Sequence, residues 1–258
     1  MRIIDAHAHL FDEPGYLDRL LNAMDACGIE KVCLSGLGPL FRCGSDADVR
    51  RAFRAHPDRV IGAVYVRPGL DDPAKIDRAR DQGFRMVKVT IPRYPYNDPR
   101  GLPLWERASR HGMPVLFHTG TVTTPVEAPE EGVSSWDMQP MQIEPITRAF
   151  PDLKILIAHL GIHWNDDAAE LARMRRNVYV DLTGEPGGWR VRMDKVGVEK
   201  WLWWPGAFKK VCFGTDVHYS KIRTILDEDK ARLERLGIDE ETRRRVFAGN
   251  ILRLLGEK

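Results

Sequence analysis

Short apolar runs and amphipathic stretches alternate along this chain. The runs "RIIDAHA", "EKVCLSG", "RVIGAVYV", "FRMVKVT", "MPVLFHT", "KILIAHL", "NVYVDLT" and "KVCFGTD" are strand candidates. Several are nearly continuous in Val, Ile and Leu, as expected of strands buried on both faces. Between them, "YLDRLLNAMDAC", "DADVRRAFRAH", "PAKIDRARDQ", "LPLWERASRH", "EPITRAF" and "AAELARMRR" read as helices. Strand-then-helix alternation predicts parallel βαβ units. Eight of them predict an α/β fold, a (β/α)8 TIM barrel forming a single domain over residues 1–258. A doubly wound sheet would want a Gly-rich phosphate turn after the first strand, and "HLFDEPGY" is not one.

Two stretches break the rhythm. "TGTVTTPVEAPEEGVSSWDMQP", after the fifth strand, is polar and punctuated by Pro and Gly, and reads as a functional lid or a disordered loop. "LTGEPGGWRVRMDKVGVEKWLWWPGAF", after the seventh, reads as irregular and carries Trp201, Trp203 and Trp204. These tryptophans suit core or subunit packing, and a homodimer is expected if the cluster is exposed.

Composition narrows the class. Hydrophobic residues make up 43% and charged residues 29%, an ordinary balance for a globular protein. Net charge is +2 with no basic run that would track a phosphate backbone, so no nucleic-acid partner is expected. No apolar stretch approaches the roughly 20 residues that span a bilayer, and the N-terminus lacks a secretory leader pattern. Cys27, Cys33, Cys43 and Cys212 show no Cys-x-x-Cys spacing. A reduced, cytoplasmic protein acting on a small molecule is the expectation.

The chemistry concentrates where strands end, which in a barrel is the active rim. In "RIIDAHAHL", strand alternation would put Asp5, His7 and His9 on one face and Ala6 and Ala8 on the other, packed against helices. His118 closes the fifth strand, His159 the sixth and Asp216 the eighth. Neutral imidazoles and a carboxylate are donors for a divalent ion, and a catalytic site leaves a position open for water. The set predicts one divalent ion, zinc or else manganese. Such an ion lowers the pKa of water towards about 7, with Asp216 as proton acceptor and His159 as a second acid/base.

Lys88 sits inside an apolar strand, which is costly for an ammonium unless it is paired. It reads as a pocket lysine for a substrate anion; carbamylated, it would bridge a second metal, and on the outer face it would snorkel. His163 and His218 lie just past strands on the active rim and are candidates to line the pocket. Arg67 and Arg93 are candidates for a substrate carboxylate, with Tyr94 and Trp136 as aromatic walls. His56 and His111 fall at helix C-termini and read as structural.

The ordered motifs "IIDAHAHL", "VLFHTG", "IAHLG" and "CFGTD", with the closing "VFAGNILRLL", resemble the metal-dependent amidohydrolase superfamily. They are most similar to the amidohydrolase-related branch that includes aminocarboxymuconate-semialdehyde decarboxylase. The resemblance runs from about residue 2 to residue 255. It implies that His7, His9, His118 and Asp216 ligate one metal and that His159 is the unliganded, or second-site, catalytic histidine. It also implies that Lys88 is not a bridging ligand. Three functions follow as expectations. The first is hydrolysis of an amide, ester or lactone. The second is non-oxidative decarboxylation of an aromatic or unsaturated acid, and the third a non-catalytic binding barrel.

Overall fold

The structure is a computed structural model that describes residues 1–122 and 132–257. Among the described residues eight strands form one sheet: β1 (Ile4–His9), β2 (Lys31–Ser35), β3 (Val60–Val66), β4 (Met86–Val89), β5 (Val115–Phe117), β6 (Ile155–Ile157), β7 (Val178–Asp181) and β8 (Val211–Cys212). Neighbours pair in parallel in the order β1 to β8. The ring is closed by backbone hydrogen bonds from the Ala6 N–H to the Phe213 carbonyl (2.9 Å) and from the Asp216 N–H to the His7 carbonyl (2.7 Å). The expected (β/α)8 TIM barrel is the observed fold.

The helices are α1 (Tyr16–Cys27), α2 (Asp46–Ala55), α3 (Ala74–Gln82), α4 (Leu102–Arg110), α5 (Glu144–Ala149), α6 (Asn165–Met174), α7 (Trp189–Val196), α8 (Ile222–Arg235), α9 (Glu240–Arg244) and α10 (Asn250–Leu255). Local chemistry sets their ends. Ser45 and Asp48 form a reciprocal capping box at the start of α2, worth about 1 kcal/mol. Gly28 ends α1 in the left-handed region at φ 68, which glycine adopts without a side-chain clash. His56 and His111 are the C-terminal caps of α2 and α4, the structural places expected of them.

Several sequence expectations need correction. Strands β5, β6 and β8 are shorter than their apolar runs, so His118, His159 and Asp216 sit on the turns that follow them. Helix α6 starts three residues before the expected "AAELARMRR". The stretch after β7 is not irregular throughout, because it contains α7. Of its tryptophans Trp201 is buried, whereas Trp203 is 65% exposed beneath the Arg173 guanidinium, 5.6 Å from its ring centre. Much of the long loop after β5, residues 123–131, lies outside the described residues. No helix among the described residues is long and apolar enough to cross a membrane.

Packing divides the barrel into two shells. Val32, Val64, Val87, Val115, Ile157 and Val180 face outward into the layer beneath the helices. Ile4, Ala6, Cys33, Ile61, Met86, Leu116, Leu156 and Cys212 face inward and pack against Ala248, Ile251 and Leu255 of the C-terminal helical segment. That segment is pinned by the Asn250 amide, which donates to the Val211 carbonyl at 2.7 Å. It plugs one mouth of the barrel with apolar side chains and leaves polar chemistry to the other.

The expected alternation of β1 fails in the middle of the strand. Ala6 lies in the inner cluster beside Ile4, while Ala8 lies in the outer layer. The register against β2 shifts between Asp5 and Ala8. A bulge of this kind re-aims side chains next to active sites. It turns His7 and His9 to the active rim, while Asp5 accepts from the Thr215 N–H and hydroxyl at 3.0 and 2.6 Å.

Candidate metal centre

Three side chains converge at the open mouth. His7 Nε2 lies 3.5 Å from Asp216 Oδ1, and His9 Nε2 lies 3.0 Å from the same oxygen. One donor atom from each of His7, His9 and Asp216 falls within 4.8 Å of the others. The backbone holds them together as well, since the Asp216 N–H donates to the His7 carbonyl. Gly214 makes this approach possible: a Cβ there would sit 2.8 Å from Thr183 Cγ2 and 3.0 Å from His7 Cβ.

His118 and His159 complete the rim. His159 Nε2 is 3.1 Å from His118 Nδ1 and 3.6 Å from Asp216 Oδ2. Through His159, His118 stands beside the three-donor cluster rather than inside it. Its Nε2 is buried and has no hydrogen-bond partner among the described residues. His159 and Asp216 both adopt left-handed backbone, at φ 59 and φ 50, as does Leu160 at φ 44. For non-glycine residues such conformations cost energy and persist only where the surroundings enforce them.

The charge states suit a cation. Burial, reinforced by the nearby Lys88 ammonium, pushes His7 down to about 4, so its imidazole is neutral at pH 7. Burial also takes His118 well below the ordinary histidine range, helped by His159 and Lys88. Burial disfavours charge on Asp216, but the surrounding histidines outweigh it and hold the carboxyl well below the usual range. A neutral His7 imidazole and an ionised Asp216 carboxylate match the donors a divalent ion takes.

Lys88 points inward and not to solvent. It is 1% exposed, and its Nζ lies 2.8 Å from His7 Nε2. Burial brings it down to about 8 against the opposing pull of Asp216 and Asp181.

The family model described as Amidohydrolase matches residues 40–256. The chain belongs to the amidohydrolase family. The motif resemblance drawn from the sequence is thereby confirmed, although β1 with His7 and His9 lies ahead of the matched span. No curated protein matches the chain. Among solved structures it is similar to an uncharacterized TIM-barrel protein from Bordetella bronchiseptica, at TM-score 0.75 and 20% identity over 99% of each chain. It is also similar to a protein from Acinetobacter baumannii described as a probable 2-pyrone-4,6-dicarboxylic acid hydrolase, with citric acid bound. There the TM-score is 0.68 at 15% identity over 99% of this chain and 100% of that one. A dihydroxybenzoic acid decarboxylase from a Polaromonas species, with manganese and the inhibitor 2-nitroresorcinol bound, gives TM-score 0.68 at 16% identity over 99% and 97%. At these identities the likeness concerns the fold.

Other sequence candidates of this amidohydrolase scatter around the rim. Arg67 is buried, with its Nε donating to the Ile91 carbonyl at 2.7 Å. The Cβ of Arg93 and the ring of Tyr94 pack against Gly69, and the Arg100 guanidinium lies 4.5 Å from the Tyr94 ring centre. Trp136 is 62% exposed and meets Trp164 edge-on at 6.2 Å. His163 is exposed, its Nδ1 3.3 Å from an Arg192 Nη1. His218 Nδ1 is 2.8 Å from Ser220 Oγ, and its ring abuts Phe11, Tyr16 and Tyr219.

Sequence reasoning missed the residues behind the histidines. Ser35 Oγ is 2.9 Å from His9 Nδ1, and Asp181 Oδ2 is 3.0 Å from His7 Nδ1. Asp181 is fully buried; burial alone would raise its carboxyl, but hydrogen bonding to His7 and Thr183 and the charges of His7 and His159 bring it to about 2. The signal was present in "VYVDLT", where an aspartate interrupts an apolar strand just as Lys88 does in "MVKVT".

Proposed function

We propose that the protein is a metal-dependent hydrolase that directs water at the carbonyl of an amide, ester or lactone in a small molecule. The placement of Asp216 carries this reading. One of its oxygens faces His7 and His9, and the other faces His159 at 3.6 Å. A single carboxylate thus stands between the cation donors and a titratable imidazole, where a proton leaving water would be taken up and passed on.

His7, His9 and Asp216 would hold the ion, with His118 as the further ligand implied by the family motifs. Zinc suits this imidazole and carboxylate set and manganese is the alternative, the latter being bound in the Polaromonas decarboxylase. When bound, the ion supplies Lewis-acid polarisation of a carbonyl and makes water acidic enough to ionise near neutral pH. Asp216 accepts the water proton, and His159 donates to the leaving group. Lys88 contributes a fixed positive charge at the floor of the site, and the bulge in β1 keeps His7 and His9 aimed at one point.

Decarboxylation is the second reading, favoured by Lys88. Its ammonium is buried beside His7 and has no carboxylate in ion-pair range among the described residues, a state that a substrate carboxylate would relieve. One panel separates the two reactions. Protein loaded with zinc or with manganese is offered lactones, esters, amides and aromatic acids, with acid release followed by pH-stat and carbon dioxide by mass spectrometry. Acid release without carbon dioxide supports hydrolysis. Carbon dioxide release establishes the second reading, and turnover that survives complete chelation defeats both.

A further inference from the structure

We propose that Asp181 and Thr183, at the end of β7, are positioning residues that fix which nitrogen of His7 and of His159 carries the proton. The argument is one of donor counting. Asp181 Oδ1 accepts from the His159 N–H at 2.7 Å, the Thr183 N–H at 3.1 Å and the Thr183 hydroxyl at 2.6 Å. A threonine hydroxyl has one proton, and here it is directed to Asp181. The Thr183 oxygen can therefore only accept from His159 Nδ1, 2.8 Å away, and from His7 Nδ1, 3.3 Å away. The Thr183 carbonyl, 3.2 Å from His159 Nδ1, is likewise an acceptor. Asp181 Oδ2 imposes the same condition on His7 Nδ1.

Both imidazoles are thus held with Nδ1–H turned to β7 and with the Nε2 lone pair turned to the open mouth. The front of His7 agrees with its back. The Lys88 ammonium, all donor, sits 2.8 Å from His7 Nε2, which must accept. Asp181 is therefore shared, through side chain for one histidine and through backbone for the other. A partner on the far nitrogen of a ligating histidine fixes its tautomer and orientation. The consequence for metal affinity rests on the metal reading above; the tautomers do not.

Long-range 1H–15N correlation spectra of metal-free protein labelled with 15N-histidine read the tautomers directly, with signals assigned through His7→Gln and His159→Gln. The expected result is Nδ1–H for both residues in the wild-type protein, and Nε2–H in either overturns the proposal. Asp181→Asn sharpens the test. Its single amide oxygen would turn to the three donors at Oδ1 and leave the NH2 facing His7 Nδ1–H, donor against donor, while Lys88 still holds Nε2 as acceptor. The His7 Nδ1–H signal alone should therefore shift and exchange faster with solvent. Zinc affinity, read by competition with a chromophoric chelator, should then fall about 10- to 100-fold. An Asp181→Asn protein with an unchanged His7 Nδ1–H signal and unchanged affinity overturns the assignment. Should that variant not fold, Thr183→Val against Thr183→Ser decides. A shifted, faster-exchanging His159 Nδ1–H signal is expected in the first, where only the carbonyl of residue 183 remains as acceptor, and a wild-type signal in the second. Identical spectra overturn the role of the Thr183 hydroxyl. Wild-type protein with both Nδ1–H tautomers but no affinity for zinc or manganese supports the positioning and overturns the metal reading.

Discussion

The two mouths of this barrel are built from the same eight strands and differ in almost everything else. At one mouth Ile4, Ala6, Ile61 and Leu116 meet Ala248, Ile251 and Leu255 of the C-terminal segment in a dry apolar plug. At the other, His7, His159, Lys88, Asp181 and Thr183 are buried together as polar groups, and the backbone is left-handed at His159, Leu160 and Asp216. The first arrangement is what hydrophobic burial favours unaided. The second gives up apolar packing and adopts costly backbone to point donors at one spot, a pattern typical of functional sites. Conformational economy at one end carries the strain at the other.

If that division is real, changes at each mouth should have separable effects. The largest is expected from Asp216→Asn, which keeps shape but removes both the proton acceptor and the charged donor to the ion: kcat should fall by at least about 10²–10⁴-fold. The thermal midpoint should barely move, and kcat within tenfold of wild type would remove Asp216 from the chemistry. At the plugged mouth, Ile251→Ala should cost about 2–5 kcal/mol in urea unfolding while metal content per folded chain stays unchanged. Metal loss in that variant would show that the two mouths are coupled.

Smaller effects sharpen the contrast within the active rim. Ser35→Ala removes the partner of His9 Nδ1 and should weaken metal binding about tenfold in a chelator titration. An unaltered affinity would mean that His9 is oriented by its neighbours alone. Trp136→Ala, on an exposed side chain, should shift unfolding free energy by less than about 0.5 kcal/mol. A larger shift would place Trp136 in the packing and not at the solvent edge.

The fold was legible because parallel strands buried on both faces leave long Val, Ile and Leu runs, as in "RVIGAVYV". All five rim residues were legible as polar groups at the ends of such runs, namely His7, His9, His118, His159 and Asp216. The bulge in β1 was not, because a register shift depends on the hydrogen bonds β1 shares with β2 and β8 and leaves no mark on the alternation of "DAHAH". Asp181 was visible in principle but reads as one more strand end until its partners on β1 and β6 are known. Tyr94 illustrates the opposite limit: its place against Gly69 and Arg100 follows from loop packing that no local pattern encodes.

The central claim is that His7, His9 and Asp216 hold one divalent ion at the open mouth. Elemental mass spectrometry on protein purified without chelator, with His7→Ala prepared beside it, tests this most directly. The account predicts close to one zinc or manganese per chain in the native protein and loss of that ion in the variant. Folded native protein that carries no divalent ion, even after zinc and manganese are added back, would contradict it.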